Sequence, residues 1–388
     1  MTGGVLSGVP GVGCPEPERL ARAALTWIAE PADQQMCAVL RCCAPVDVIA
    51  ALTAGAALPV GRISGLDRAL NRWTARLGAA PTAAGLDAWH RHGLRLICPG
   101  DAEWPRQLDV LGDTQPWALW VRGSADLRFA CLQSVTIVGT RTATGYGVHV
   151  STELSASLAE RGWAVISGGA FGIDTWAHRG AMAAEGITVA VLPSGVDTPY
   201  PLGNDELFRA ITDHGVLVSE WPPGATPTRP GFLVRNRVIS ALSRGTVVVE
   251  AALRSGALNT ARHARDQGRP LMAVPGPVTS RESAGCHMII REWGGECVTG
   301  ARDVIAGLSF EAADACSEPR GPVLPRDCLD PVTRSVLEAV PARAARGPAR
   351  IAVGAGVDFD TAMRCLGELA AGGFVERSER GWRVRAPG

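Results

Sequence analysis

The chain has 388 residues and no lysine, so all 38 of its cationic residues are arginine. A GC-rich genome that avoids lysine codons accounts for the bias, and the chemical exclusions hold whatever its cause. A Walker A loop needs its lysine, a pyridoxal-phosphate enzyme needs a Schiff-base lysine, and a protein kinase needs its strand lysine. None of these chemistries is open to this chain. Arginine offers instead a planar fork that suits bidentate phosphate contact. A net charge is also lacking, because Asp plus Glu likewise number 38, so any basic surface must be local. The 11 cysteines include no CxxC pair and leave an odd total, which fits reduced, buried thiols rather than disulfides or a zinc site. His149, His178, His214, His263 and His287 make no HxH or HExxH pattern, and the His90/His92 pair has no third ligand near it. No metal and no cofactor is expected. The N-terminus has no charged segment leading into an apolar one, and no apolar run nears membrane-spanning length; a soluble, cytoplasmic protein is the expectation.

What is present is a series of polar loops between 134 and 299, each following a short β-branched run. They are Gly139-Thr140-Arg141, then Ser167-Gly168-Gly169-Ala170-Phe171-Gly172-Ile173-Asp174, then Pro193-Ser194-Gly195-Val196-Asp197. Arg235-Asn236-Arg237 and Ser255-Gly256 come later. Glycine lets backbone N–H groups approach an anion, and a following helix N-terminus adds partial positive charge. Such loops along one sheet edge, with arginines nearby, describe a phosphate-binding crevice for a nucleotide or a nucleic acid.

The runs at 135–138, 164–167, 188–192, 216–219, 246–250, 271–274 and 296–298 are short, apolar and bounded by turn residues, as buried parallel strands are. Helical stretches lie between them; 148–161, for example, sets Val150, Leu154 and Leu158 on one face. Repeated βαβ units predict an α/β fold with a doubly wound, parallel, Rossmann-like sheet and its crevice at the strands' carboxyl ends. The expected division is a small helical N-terminal domain at 1–98, the Rossmann-like domain at 99–308, a linker at 309–328 containing Pro319, Pro322 and Pro325, and a winged helix at 329–388. In the last, 331–340 and 358–371 read as helices and 374–384 as a hairpin. Gly61 to Leu66 reads as an interhelical turn.

A dinucleotide-binding Rossmann enzyme would need GxGxxG in its first turn and an acid about twenty residues later for the ribose. Neither is here, which argues against nicotinamide or flavin chemistry. Asp174, Asp197 and Glu250 are the carboxylates available to a hydrolase. Asp174 falls in a helix's first turn, where acids cap; Asp197 falls in a tight turn; Glu250 is placed to hold loop amides. Each reads as structural before catalytic, so no catalytic residue is assigned. Packing explains Arg141, Arg235 and Arg237 poorly, the plain alternative being a salt bridge to Glu250 or Asp174.

These motifs resemble those of the DNA-processing protein A (DprA/Smf) family. The series is Val-Gly-Thr-Arg-x4-Tyr-Gly, Ser-Gly-Gly-Ala-Phe-Gly-Ile-Asp-x3-His, Pro-Ser-Gly-Val-Asp-x2-Tyr-Pro, Phe-x2-Arg-Asn-Arg-x-Ile-Ser-x-Leu-Ser, Val-Glu-Ala-x3-Ser-Gly-x3-Thr-Ala and Gly-Arg-x4-Val-Pro-Gly, in order from Val138 to Gly276. The segment from Trp104 to Gly123 also resembles the family's entry into its sheet. The resemblance implies a homodimeric binder of single-stranded DNA that delivers it to the RecA recombinase and is not an enzyme. The implied DNA phosphate-binding residues are Gly139, Thr140, Arg141, Tyr146, Gly147, Ser167, Gly168, Gly169, Phe171, Gly172, Asp174, Ser194, Gly195, Asp197, Arg235, Asn236, Arg237, Ser255 and Gly256. One departure is Leu202 after Tyr200-Pro201, where many relatives carry a cation.

Two other readings are open. A nucleotide phosphoribohydrolase shares this kind of sheet but carries PGGxGTxxE, whereas here Glu250 precedes Ser255-Gly256, the reverse order. A sequence-specific repressor would need base-reading side chains on 358–371, and that stretch carries only Arg364 as a long donor. A protein-contact or dimer-supporting role fits the terminal module better.

Overall fold

The computed structural model describes residues 13–308 and 325–385. The chain divides into two compact units, Met1–Asp314 and Ala315–Gly388. Of the stretch expected to link them, 309–324 lies outside the described residues, and Pro325–Cys328 is a single tight helical turn.

Five helices open the first unit: α1 (Glu16–Ile28), α2 (Gln34–Leu40), α3 (Pro45–Ala54), α4 (Leu66–Leu77) and α5 (Ala83–Arg91). Pro and Gly punctuation sets their ends, as at Pro45 in the first turn of α3 and Gly55 in the left-handed region after it. Leu25, Ile28, Met36, Val48 and Trp73 form a core of their own that Trp117 closes from the sheet side. Trp27 of α1 also stands edge-on to Trp120 at 5.4 Å, and the Trp120 indole donates to Thr26 Oγ1 at 3.2 Å. The helices therefore pack on the sheet within one unit.

The sheet has nine strands: β1 (Leu94–Ile97), β2 (Leu119–Gly123), β3 (Ser134–Val138), β4 (Ala164–Ser167), β5 (Thr188–Val191), β6 (Val216–Ser219), β7 (Thr246–Val248), β8 (Leu271–Ala273) and β9 (Glu296–Cys297). Their spatial order is β1-β2-β6-β5-β4-β3-β7-β8-β9, with β3 to β9 parallel and β1 and β2 antiparallel at one edge. All seven expected strands appear. β1 and β2 were not expected, and β1 falls inside the 1–98 stretch read as helical. Its four residues, Leu94-Arg95-Leu96-Ile97, are too few to stand out beside the Arg-rich helices.

The crossovers are α6 (Leu127–Leu132), α7 (Gly145–Ala159), α8 (Ile173–Ala183), α9 (Asp205–His214), α10 (Arg229–Leu242), α11 (Ala257–Asp266), α12 (Ala284–Glu292) and α13 (Ala301–Leu308). Successive strand residues point to opposite faces. Val135 and Ile137 accordingly pack with Leu154 and Leu158 of α7 and with Ala177 of α8. Their neighbour Val138 joins Ile239, Leu258 and Ile289 from α10, α11 and α12 on the other face. Each such buried aliphatic side chain contributes roughly 1.5–3 kcal/mol. The chain builds outward from β3 to β6, then returns through α10 to lay β7 on the other side of β3. The loops after β3 and β7 diverge at that switch point and leave a crevice between them.

The second unit holds α14 (Pro331–Ala339), α15 (Pro348–Ala355), α16 (Phe359–Ala371) and the hairpin of β10 (Val375–Ser378) and β11 (Gly381–Val384). Asp330 and Asp358 cap α14 and α16 by accepting main-chain N–H bonds. Val336, Ile351, Cys365, Leu366, Leu369 and Trp382 make its core. Three helices followed by a hairpin are the elements expected of a winged helix-turn-helix. Helix α15 went unforeseen because Gly347, Pro348, Gly354 and Gly356 crowd a stretch of only ten residues. Among the described residues no single helix is long and apolar enough to cross a membrane. The ten cysteines among them are free thiols.

Candidate nucleic-acid interface

The crevice at the switch point has a volume of about 750 Å³, with Gly139 to Thr142 on one wall and Ser255-Gly256 on another. α10 supplies a third wall through Arg229, Phe232, Leu233, Asn236 and Ile239, one helical stripe at three- and four-residue spacing. Thr228 starts that helix by accepting the Gly231 N–H at 3.1 Å.

Glu250 fixes the first loop. Its main-chain carbonyl accepts the Thr140 N–H at 2.7 Å. Its carboxylate accepts the Thr144 N–H at 3.0 Å and the Thr144 hydroxyl at 2.6 Å. The structural reading of Glu250 holds. Gly139 and Gly147 permit this closeness, because a Cβ on either would fall within 3 Å of Glu250. Gly172 has φ +78° and packs main chain to main chain on the first loop, where a Cβ would lie 2.2 Å from the Thr140 carbonyl oxygen.

Asp174 accepts the Gly168 and Ala170 N–H groups at 3.2 and 3.3 Å, so it holds the second loop rather than capping the helix, the role its first-turn position suggested. Burial pushes its carboxyl above the usual carboxylate range, and the charge of Arg235 pulls it partly back. Arg235 is itself buried. Its guanidinium donates to the Gly168 carbonyl at 2.8 Å and to the Val191 carbonyl. Burial holds its pKa down to about 10, so it stays charged at neutral pH. Arg141, by contrast, is exposed, with its guanidinium 4.9 Å from the centre of the Phe232 ring. Phe232 meets Tyr200 edge-on at 5.8 Å. One aromatic face thus stands at the crevice mouth with a cation over it.

Several candidates lie elsewhere. Arg237 is turned away from the crevice into a buried, two-pronged ion pair with Glu220, both bonds 2.6 Å, rather than with Glu250 or Asp174. The third loop is clasped to the loop after β6: Asp197 accepts the Gly224 N–H at 3.0 Å and the Gly195 N–H donates to Ala225. Ser194 is buried and donates to the Thr198 carbonyl. The Ser167 hydroxyl is likewise consumed within the sheet, donating to the Ile137 carbonyl at 2.7 Å. Tyr146 donates to the Pro275 carbonyl at 2.6 Å. Gly169 packs against the Phe208 ring, and a Cβ on Gly168 would meet Arg235 and Asp174 at 2.8 Å. The glycines of the second loop are therefore spent on packing the loop to its supports, not on clearing room for a ligand. Phe171 is 48 % exposed over Gly203, which is not the buried plug that a lone aromatic suggests.

Sequence reasoning missed Arg229, Phe232, Arg254 and Glu282, all of which line the crevice. The signal for the first two was the helical stripe on α10, which interleaves a cation and an aromatic among apolar positions. Glu282 Oε2 is buried without a hydrogen-bond partner among the described residues. Those residues also contain no cluster of His, Cys, Asp and Glu that could hold a metal ion.

A doubly wound α/β protein with an Arg-rimmed crevice at its switch point is the class this geometry defines. Residues 95–309 match the family model of DNA recombination-mediator protein A, and the chain belongs to that family of DNA-processing proteins. It is 42% identical over 385 residues to a Mycobacterium tuberculosis protein provisionally described as a DNA processing protein, DprA, with 96% of each chain covered. It is 39% identical over 224 residues to protein Smf of Escherichia coli, covering 57% of this chain and 59% of that one. Among solved structures, DprA of Streptococcus pneumoniae superposes with a TM-score of 0.59 at 28% identity, over 76% of this chain and 99% of that one. DprA of Helicobacter pylori, whose structure is described as giving insight into its single-stranded DNA binding mode, gives 0.50 at 28% identity, over 55% and 95%.

Proposed function

We propose that this chain binds single-stranded DNA in the switch-point crevice and delivers it to the RecA recombinase, acting as a cytoplasmic homodimer and catalysing no reaction itself. The observation that carries this reading is the Arg141–Phe232 pair at the crevice mouth. A strand offers phosphates to the guanidinium and bases to the ring, and stacking on an aromatic side chain is worth roughly 1–3 kcal/mol per base. The binding mode described for the Helicobacter pylori relative supports the same ligand. Arg229 and Arg254, both exposed, extend the cationic rim and offset the missing cation at Leu202.

The test is binding of a 30-nucleotide strand, its duplex and a mononucleotide across a salt series. The strand should bind most tightly, with log affinity falling by about 0.7 per contacted phosphate for each unit of log salt. Duplex bound as tightly as the single strand at matched salt would sink the proposal. The RecA step fails if purified RecA forms filaments no faster on strands presented by the protein. The unpartnered oxygen of Glu282 keeps a phosphoribohydrolase in view. Release of free base from AMP, abolished by Glu282→Gln, would favour that enzyme; no turnover is expected.

A further inference from the structure

The second unit carries a cationic concavity that the crevice does not explain. Arg346, Arg350 and Arg380 line a hollow of about 460 Å³ between the start of α15 and the wing. All three are exposed, and among the described residues no carboxylate, carbonyl or ring meets their guanidinium groups. Two other arginines of the unit are matched, Arg364 with Glu368 and Arg383 with Glu376, whereas Arg346, Arg350 and Arg380 converge on one hollow. Three like charges left unmatched in one hollow repel one another unless an anion joins them.

The backbone beneath them is fixed. Arg346 and Trp382 exchange main-chain hydrogen bonds, both 2.9 Å, and Trp382 is buried in the unit's core. Gly381 has φ +125°, and a Cβ there would lie 2.3 Å from the Arg346 carbonyl oxygen, so the wing tip closes directly on the segment before α15. That contact brings Arg380 beside Arg346 and Arg350. Glu379 is exposed and precedes Arg380 in the wing turn, and further acids lie along α16, the helix that a winged helix-turn-helix would lay in a major groove. Asp358 and Asp360 start it and Glu368 follows, so phosphates repel its leading end.

We propose that the Arg346–Arg350–Arg380 hollow docks the phosphodiester backbone of nucleic acid, without reading bases and regardless of strandedness. It is a second site, separate from the crevice. Single strands engage both sites, whereas duplex engages this one alone and more weakly than single strands bind the whole protein.

The test uses the full chain and a 30-base-pair duplex of arbitrary sequence, titrated by fluorescence anisotropy at several salt concentrations. Arg346→Glu/Arg350→Glu/Arg380→Glu should weaken duplex binding at least tenfold at low salt and flatten the salt slope by about 2–3, near 0.9 per phosphate released. Arg141→Ala should leave duplex binding unchanged while reducing single-strand binding, which separates this site's failure from the crevice's. A control, Arg128→Glu/Arg161→Glu/Arg244→Glu, changes charge equally on the first unit. Unchanged duplex affinity in the first variant, or an equal loss in the control, overturns the proposal. So does polyglutamate that binds as tightly as duplex and is lost with the same variant, which would assign the hollow to an acidic protein segment. Should the Glu variant lose its melting transition, Arg346→Gln/Arg350→Gln/Arg380→Gln is read instead, with loss of duplex binding expected and its retention counting against the site.

Discussion

Arg235 donates to the carbonyl of Gly168 at 2.8 Å from inside the protein, so this arginine supports the second loop from below. Arg141 faces outward from the neighbouring loop. Two arginines of one motif series thus have different work, and single substitutions should separate them.

Arg141→Ala should weaken single-strand binding by about 1.5–3 kcal/mol, roughly ten- to a hundredfold, with an unchanged melting temperature. Arg235→Ala should instead cost about 3–5 kcal/mol of stability, because it leaves Asp174 and two carbonyls buried without their cation. Urea midpoints and anisotropy titrations on both variants check this. A destabilised Arg141→Ala protein would contradict the assignment.

Glycine substitutions divide in the same way. Gly256 has helical dihedrals and open space where a Cβ would go, and it lines the crevice. Gly256→Val should fold normally and bind strands several-fold more weakly. Gly168→Val would drive its side chain into Arg235 and Asp174, and soluble yield and melting temperature should fall before any binding effect can be read. Normal melting in Gly168→Val would show that this packing is looser than drawn.

Phe232→Leu keeps an apolar side chain on α10 but removes the face under Arg141. Binding should drop by about 1–3 kcal/mol per stacked base, with less than 1.5 kcal/mol lost in stability. Loss confined to stability would make Phe232 a packing residue.

His178 sets an acid limit. It is fully buried, with Nδ1 2.7 Å from the Thr188 hydroxyl, and burial holds its pKa down to about 3 against 6.5 when unfolded. The unfolded chain binds the extra proton first, so the stability held above pH 6.5 is lost as pH falls towards 3. By pH 5 the loss is roughly 2 kcal/mol, at about 1.36 kcal/mol per pH unit. Urea midpoints at pH 7.5 and 5 should show it, and His178→Gln should flatten the profile between them.

The parallel strands were legible because each is a β-branched run closed by a turn, a pattern a strand buried on both faces requires. β1 and β2 were not, because they are only four and five residues long, each holds an arginine, and β1 follows directly on the Arg-rich helices. At the site, the loops with their own signature stood out, as did Glu250 in its supporting role, whereas Asp174 was legible as structural but read as a helix cap. The fate of Arg237 depended on Glu220, which lies seventeen positions earlier in the chain and becomes its neighbour only once β6 and α10 pack. No spacing rule joins those two residues. Phe232 escaped for the opposite reason, since its motif was visible but its direction needed the axis of α10.

Glu250 belongs to the connection after β7 yet holds the loop after β3 through both its main chain and its carboxylate. Opposite banks of the crevice are thereby a single stiff piece, and little ordering remains for them when a ligand arrives. The loss of freedom on binding then falls on the flexible strand instead of the protein. Association should accordingly proceed in one step at a rate set by collision and charge, without a slow phase that saturates as DNA concentration rises.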